Sequence, residues 1–212
     1  QRRASTPAGT PLVLDGDELE CVSVEIDGES LPDAAFEATP QKLTLHEPPS
    51  KAKFTLRIVT RLDPSTNSTL MGLYLSSGVY CTQCEPEGFR RITYFLDRSD
   101  VLSIYTVRVE APEQTSPVLL ANGNMIESGK LEGGKHYAVW HDPFPKPSYL
   151  FALVAGDLGM LRDEFVTSSG RKVDLGIYVE HGKESRATYA MDALKRSMKW
   201  DEEVYGLEYD LD

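Results

Sequence analysis

Apolar and polar residues alternate at period two through the first three quarters of the chain, and that rhythm predicts strands. In Glu20-Cys21-Val22-Ser23-Val24-Glu25-Ile26, Val22, Val24 and Ile26 share one face, the pattern of a strand with one side buried. Asp27-Gly28 follows directly and suits the positive φ angles of a tight hairpin turn. The alternation returns in Phe54-Thr55-Leu56-Arg57-Ile58-Val59 and in Ile104-Tyr105-Thr106-Val107-Arg108-Val109, and Asn122-Gly123 and Gly133-Gly134 mark later turns. The fold class these patterns predict is mainly β.

From Trp140 the text changes. His141-Asp142-Pro143-Phe144-Pro145-Lys146-Pro147 has three prolines at alternate positions, which favour an extended, polyproline-like path with few ladder donors, so this stretch is expected to be neither a central strand nor a helix. Tyr149 to Ala155 is then continuously apolar, as in a strand covered on both faces. Gly156-Asp157 ends it and marks a domain boundary. After a further β stretch from Val173 to Val179, one helix is predicted, with Ser185 as its N-cap and Gly206 at C′. Ala187, Ala190, Met191, Leu194 and Met198 recur at helical spacing and read as its core stripe.

Charge removes one class of partner. With 33 acidic against 22 basic residues and a formal net charge of -11, the chain lacks the clustered Lys and Arg that neutralise phosphates, so no nucleic acid is expected. No apolar run approaches the roughly 20 residues that span a bilayer, so no membrane partner is expected either. Three cysteines are too few and too odd in number for a secreted disulfide framework, which points to a reducing compartment, the cytoplasm. At 212 residues the chain can bury one good core or two modest ones.

The cysteine pair Cys81-x-x-Cys84 is the first candidate for chemistry, and the residues argue against it. Structural zinc needs four ligands, yet the remaining cysteine is the distant Cys21, and His46, His136, His141 and His181 are scattered without finger or ribbon spacing. A redox pair needs its first cysteine at a helix N-terminus, whereas Pro86 and Gly88 predict a turn. His46-Glu47-Pro48-Pro49 begins like the zinc-protease motif H-E-x-x-H but lacks the second histidine, and its prolines spoil the helix that motif requires. Glu85 and Glu87 flank Pro86 on the turn beside Phe89 and Tyr94; by composition alone they read as an ordinary acidic turn.

Several long blocks change that weight. Cys81-Thr82-Gln83-Cys84-Glu85-x-Glu87-Gly88-Phe89-Arg90, Ile92-Thr93-Tyr94-x-Leu96-Asp97-Arg98, Asp142-Pro143-Phe144-Pro145-Lys146-Pro147 and Tyr149 to Asp157, in this order, resemble the bacterial aminopeptidase N family. Met198-Lys199-Trp200-Asp201-Glu202-Glu203 and Gly206 to Asp212 continue the likeness, which covers residues 68 to 212 and is weaker from Leu12 to Asn67. The family consists of zinc metallopeptidases of the gluzincin type, hydrolases that release single residues from peptide N-termini.

The resemblance implies a saddle-shaped, β-sandwich-like N-terminal domain over residues 1–157, with its first strands missing. Residues 158–212 are then the first β/α segment of a thermolysin-like catalytic domain, truncated before the G-x-M-E-N and H-E-x-x-H motifs. Zinc belongs to the full-length parent and none is expected in this chain, which carries no catalytic and no metal-binding residue. The position matching Glu85 binds the substrate's free α-amino group, and the one matching Gln83 lies beside it. Partners are therefore peptide substrates, held by their N-terminal amine, and the remainder of the chain's own catalytic domain. The chain caps the active site and is expected to be inactive alone. Asp97-Arg98-Ser99-Asp100 departs from the family's D-R-P-D by losing a proline. The alternative is a stand-alone β-rich peptide or protein binding module without catalysis.

Overall fold

Hairpin after hairpin accounts for most of the chain, as the period-two rhythm demands. The computed structural model describes residues 6, 7 and 9–211. Among these the strands are β1 (Leu12–Asp15), β2 (Glu20–Ile26), β3 (Glu29–Ser30), β4 (Phe36–Thr39), β5 (Lys42–Leu45), β6 (Leu56–Arg61), β7 (Gly72–Ser76), β8 (Val79–Gln83), β9 (Leu102–Pro112), β10 (Val118–Ala121), β11 (Asn124–Lys130), β12 (Lys135–Pro147), β13 (Leu153–Gly156), β14 (Gly159–Val166) and β15 (Lys172–Val179). One α-helix, α1 (Thr188–Tyr205), follows them. No helix among the described residues is long and apolar enough to cross a membrane.

Two compact units emerge, Gln1–Ile104 with Phe144–Leu153, and Tyr105–Pro143 with Val154–Asp212. This division follows compactness and is of another kind than the boundary at residue 157 expected from the sequence.

In the first unit, the antiparallel sheets β1-β5-β4 and β3-β2-β6 bury Leu14, Leu19, Val24, Leu43, Leu45 and Tyr94 in one core. The Tyr94 hydroxyl donates to the Thr39 carbonyl at 2.6 Å, so this buried ring leaves no polar atom stranded. Asp27 and Gly28 form the expected two-residue turn, with φ of 53° and 89°, and Ile26 pairs with Glu29 across it. The strand before it departs from expectation. A bulge between Cys21 and Ser23 breaks the register against β6, leaving Val22 exposed while Val24 is buried and Cys21 packs against the core. One extra residue shifts every side chain before it to the other face.

The second unit contains most of the sheet β11-β12-β9, in which β12 is the middle strand. The proline run is therefore part of a central strand after all, contrary to the sequence expectation. Neighbouring residues of a strand direct their N–H groups to opposite edges, so Pro143, Pro145 and Pro147 all remove donors from one edge and leave the other intact. The ladder with β11 ends at Asn124↔His141, where β11 itself begins, so the prolines lie beyond it. The apolar run Tyr149 to Ala155 is also not one strand: Ser148–Leu150 is a 3-10 turn closed by the Phe151 N–H on the Ser148 carbonyl, Leu150 is exposed, and only Leu153–Gly156 is β.

The hairpin β14–β15 pairs without interruption from Gly159↔Val179 to Val166↔Lys172, and α1 covers it by seating Met191 and Met198 on Phe165, Val173 and Leu175. Ser185 is not the N-cap. It lies in a 3-10 turn, Glu184–Ala187, that delays the α-helix to Thr188, and Ala187 takes the cap position without a side-chain bond. Ala190 and Leu194 also fall outside the core stripe, because a two-stranded hairpin is too narrow to cover the whole apolar arc of the helix. Gly206, with φ of 66°, ends the helix as expected, its N–H returning to the Glu202 carbonyl.

Equal costs for the valines of β2 follow from alternation, unequal costs from the bulge. Val24→Ala is expected to destabilise by about 2 kcal/mol and Val22→Ala by less than about 0.5 kcal/mol. Urea unfolding of the two variants checks this.

Candidate functional site

Strand β8 ends at Gln83 and delivers the turn Cys84-Glu85-Pro86-Glu87-Gly88, which runs into a 3-10 turn at Phe89–Arg91. The Gly88 N–H closes the turn on the Cys84 carbonyl at 2.9 Å. Glycine is required at that point because a Cβ would lie 2.4 Å from the Gln83 carbonyl oxygen and 2.8 Å from the Cys84 Cα. The peptide between Pro86 and Glu87 is cis. Phe89, buried next to the turn, is held edge-to-face by Phe95 and Phe151, with ring centroids 4.9 and 5.0 Å away.

Gln83 closes β8 and Glu85 lies two residues further on, in the turn, and the geometry treats the two glutamates differently. Gln83 donates through Nε2 to the Glu85 carbonyl at 3.1 Å, which orients its amide and keeps Oε1 available as an acceptor. Glu87 pairs with Arg90, whose Nη2 lies 2.8 Å from its Oε2. Glu85 is exposed, and its carboxylate makes no ion pair or hydrogen bond with any described residue.

Beneath the turn lies a buried charge pair. Asp97, 2% exposed, accepts the Arg90 Nε and backbone N–H on Oδ2 at 2.9 and 3.2 Å, and its own carbonyl accepts Arg90 Nη2 at 2.9 Å. Its Oδ1 accepts the Ser148 hydroxyl at 2.5 Å. The neighbouring Arg91 turns the other way, to Asp17 at 2.5 Å and to Glu18. Thr82 on β8 is tied to the same 148–153 region, accepting the Leu153 N–H at 2.9 Å.

The cysteine pair has the wrong environment for thiolate chemistry. Cys81 is on β8 rather than at a helix start, and Cys84 is 2% exposed. Burial, with the charge of Asp97 added to it, pushes the Cys84 thiol up to about 12. The histidines point apart: His136 to the Ser116 carbonyl, His141 to Thr106 and His181 to Asp157. His46-Glu47 sits in a bend and not on a helix. Among the described residues no group of three or more His, Cys, Asp or Glu is placed to hold a metal ion, so these residues do not fit zinc.

A family profile described as the peptidase M1 N-terminal domain matches residues 4–150. The chain belongs to the peptidase M1 N-terminal domain family. Among relatives of this M1 domain, aminopeptidase N of Caulobacter vibrioides is 57% identical over 202 residues and that of Escherichia coli 52% identical over 202 residues. Each alignment covers 95% of this chain and 23% of the relative, so the chain spans about a quarter of their length. Among solved structures, Legionella pneumophila aminopeptidase A in complex with aspartic acid superposes with a TM-score of 0.92 at 37% identity, over 98% of this chain and 24% of that one. A mutant M1 zinc metallopeptidase from Deinococcus radiodurans bound to a Tyr-Ser-Ala substrate shares the fold, with a TM-score of 0.76 at 20% identity over 94% of this chain and 46% of that one.

Sequence reasoning placed Glu85 on a turn, with Gln83 beside it, but missed Arg90, Asp97 and Ser148 as the support beneath it. Their signal is faint, because nothing in a chain with 33 acidic residues sets a buried aspartate apart from a solvated one.

The raised Cys84 thiol has a measurable consequence. With a pKa of about 12, only about one molecule in ten thousand is thiolate at pH 8, against about one in four for an ordinary thiol. Iodoacetamide is expected to modify Cys84 in the folded protein at least about a thousandfold more slowly than in urea, with the folded rate still rising as pH goes from 8 to 10. Peptide mapping after timed labelling checks this, and rapid folded-state labelling contradicts it.

Proposed function

We propose that this chain is the N-terminal β domain of a zinc aminopeptidase through residue 157, joined from residue 158 to the opening segment of its catalytic domain. In this reading Glu85 anchors the free α-amino group of a peptide, with Gln83 beside it. The observation that carries the reading is the Glu85 carboxylate, exposed and without a partner among the described residues, on a turn whose other glutamate pairs with Arg90.

The chemistry follows from charge. A peptide α-ammonium has a pKa near 8, so at neutral pH it is mostly a cation that a fixed carboxylate holds by a charge-assisted hydrogen bond. Such a bond contributes about 1.5–3 kcal/mol. The outward Oε1 of Gln83 can accept a second ammonium N–H. An acylated N-terminus has no charge and keeps a single amide N–H, so the pair favours free amines. Holding the amine at a fixed point brings only the first peptide bond to the reacting centre, which is how an exopeptidase is made. Glu85 positions the substrate and takes no part in bond cleavage. The described residues offer no donor set for zinc, which in this reading binds in the segment downstream of this chain. The chain caps the active site, works in the cytoplasm and is inactive by itself.

Three measurements test this. In the protein carrying the downstream segment that the relatives possess, Glu85→Gln is expected to raise KM for an aminoacyl chromogenic substrate about 10- to 100-fold, with kcat changed by less than about threefold. An unchanged KM refutes the anchoring role. The wild-type KM is expected to rise as pH passes about 8 and the substrate amine loses its proton. The isolated chain is expected to bind less than stoichiometric zinc and to show no turnover; stoichiometric metal with turnover refutes the domain assignment.

A further inference from the structure

We infer that Asp97 is the positioning residue of the amine-anchoring turn, acting through Arg90 to fix where the Glu85 carboxylate stands; this rests on the role proposed for Glu85.

The Glu85 carboxylate has no bond of its own among the described residues, so its place is set by the backbone of the turn and whatever braces it. Arg90 is the brace, gripping Glu87 with Nη2 at 2.8 Å from inside the same loop. A guanidinium on a flexible stem is a poor brace until its fork is held. Asp97 holds it at Nε and Nη2 and takes the Arg90 backbone N–H as well, so side chain and main chain are located by one residue. Asp97 is itself fixed from outside the loop by the Ser148 hydroxyl, 51 residues further on.

The construction is costly in a way that points to specificity. Burying a carboxylate demands full pairing, and well-packed apolar residues serve stability as well or better. What an apolar replacement lacks is direction. With Asp97 and Glu87 occupying the guanidinium, Arg90 is kept from pairing with Glu85 and competing with the incoming ammonium. The charge of Asp97 is also felt at Cys84, the residue that opens the turn.

The test compares Asp97→Asn, Glu85→Gln and the double variant in the protein carrying the downstream segment. Asp97→Asn is expected to raise KM for an aminoacyl chromogenic substrate about tenfold with kcat within about threefold, and to add less than about twofold when Glu85 is already Gln. As a second readout, Asp97→Asn is expected to weaken inhibition by a free amino acid and leave inhibition by its des-amino analogue unchanged. If Asp97→Asn does not yield folded protein, Ser148→Ala is measured in its place, with an expected KM rise of about threefold that is likewise lost in the Glu85→Gln background. A KM unchanged by the substitution, additivity with Glu85→Gln, or equal weakening of both inhibitors overturns the inference and marks Asp97 as structural only. An unchanged KM in Glu85→Gln overturns instead the anchoring role on which the inference rests.

Discussion

A buried carboxylate has to be paired wherever the chain places it, and in this M1 domain the pairing of Asp97 with Arg90 organises the turn that carries the candidate site. Three stretches meet there: the 3-10 turn at Phe89–Arg91, the loop containing Asp97, and the 3-10 turn at Ser148–Leu150. The aromatic contacts of Phe89 with Phe95 and Phe151 join the same stretches through their apolar side. Polar and apolar links therefore agree on one arrangement. Such agreement gives a loop one position and not several.

That arrangement separates two glutamates that composition treats alike. Glu87 is held by Arg90, whereas the Glu85 carboxylate is exposed and has no partner among the described residues. An unpaired exposed carboxylate costs nothing to keep and is free to take a cation. A paired one must first give up its partner. The difference lies in the direction of one guanidinium.

Much of the fold could be read from the residues, for identifiable reasons. The hairpin at Asp27-Gly28 and the helix end at Gly206 depend on φ angles that few residue types tolerate, so they show in the sequence. The Met191 and Met198 contacts with the β14–β15 hairpin follow from helical spacing. The failures arose where a strand's neighbours decide the outcome. Val22 is exposed because β2 bulges against β6, and the proline run stays in a central strand because its missing donors all fall on one edge. The apolar run after Pro147 yields to a turn because Ser148 is held by Asp97.

By itself, then, the sequence determined the β rhythm, the turn and helix-end glycines, the family, and the turn that carries Glu85 two residues after Gln83. All of these depend on local spacing or on residue types that carry their own conformational limits. The tertiary structure alone decided which glutamate pairs with Arg90, which has no partner among the described residues, and what lies below the turn. Those outcomes depend on Ser148, Asp97 and Arg90 meeting across 51 and 7 residues of chain, and no local pattern records such a meeting.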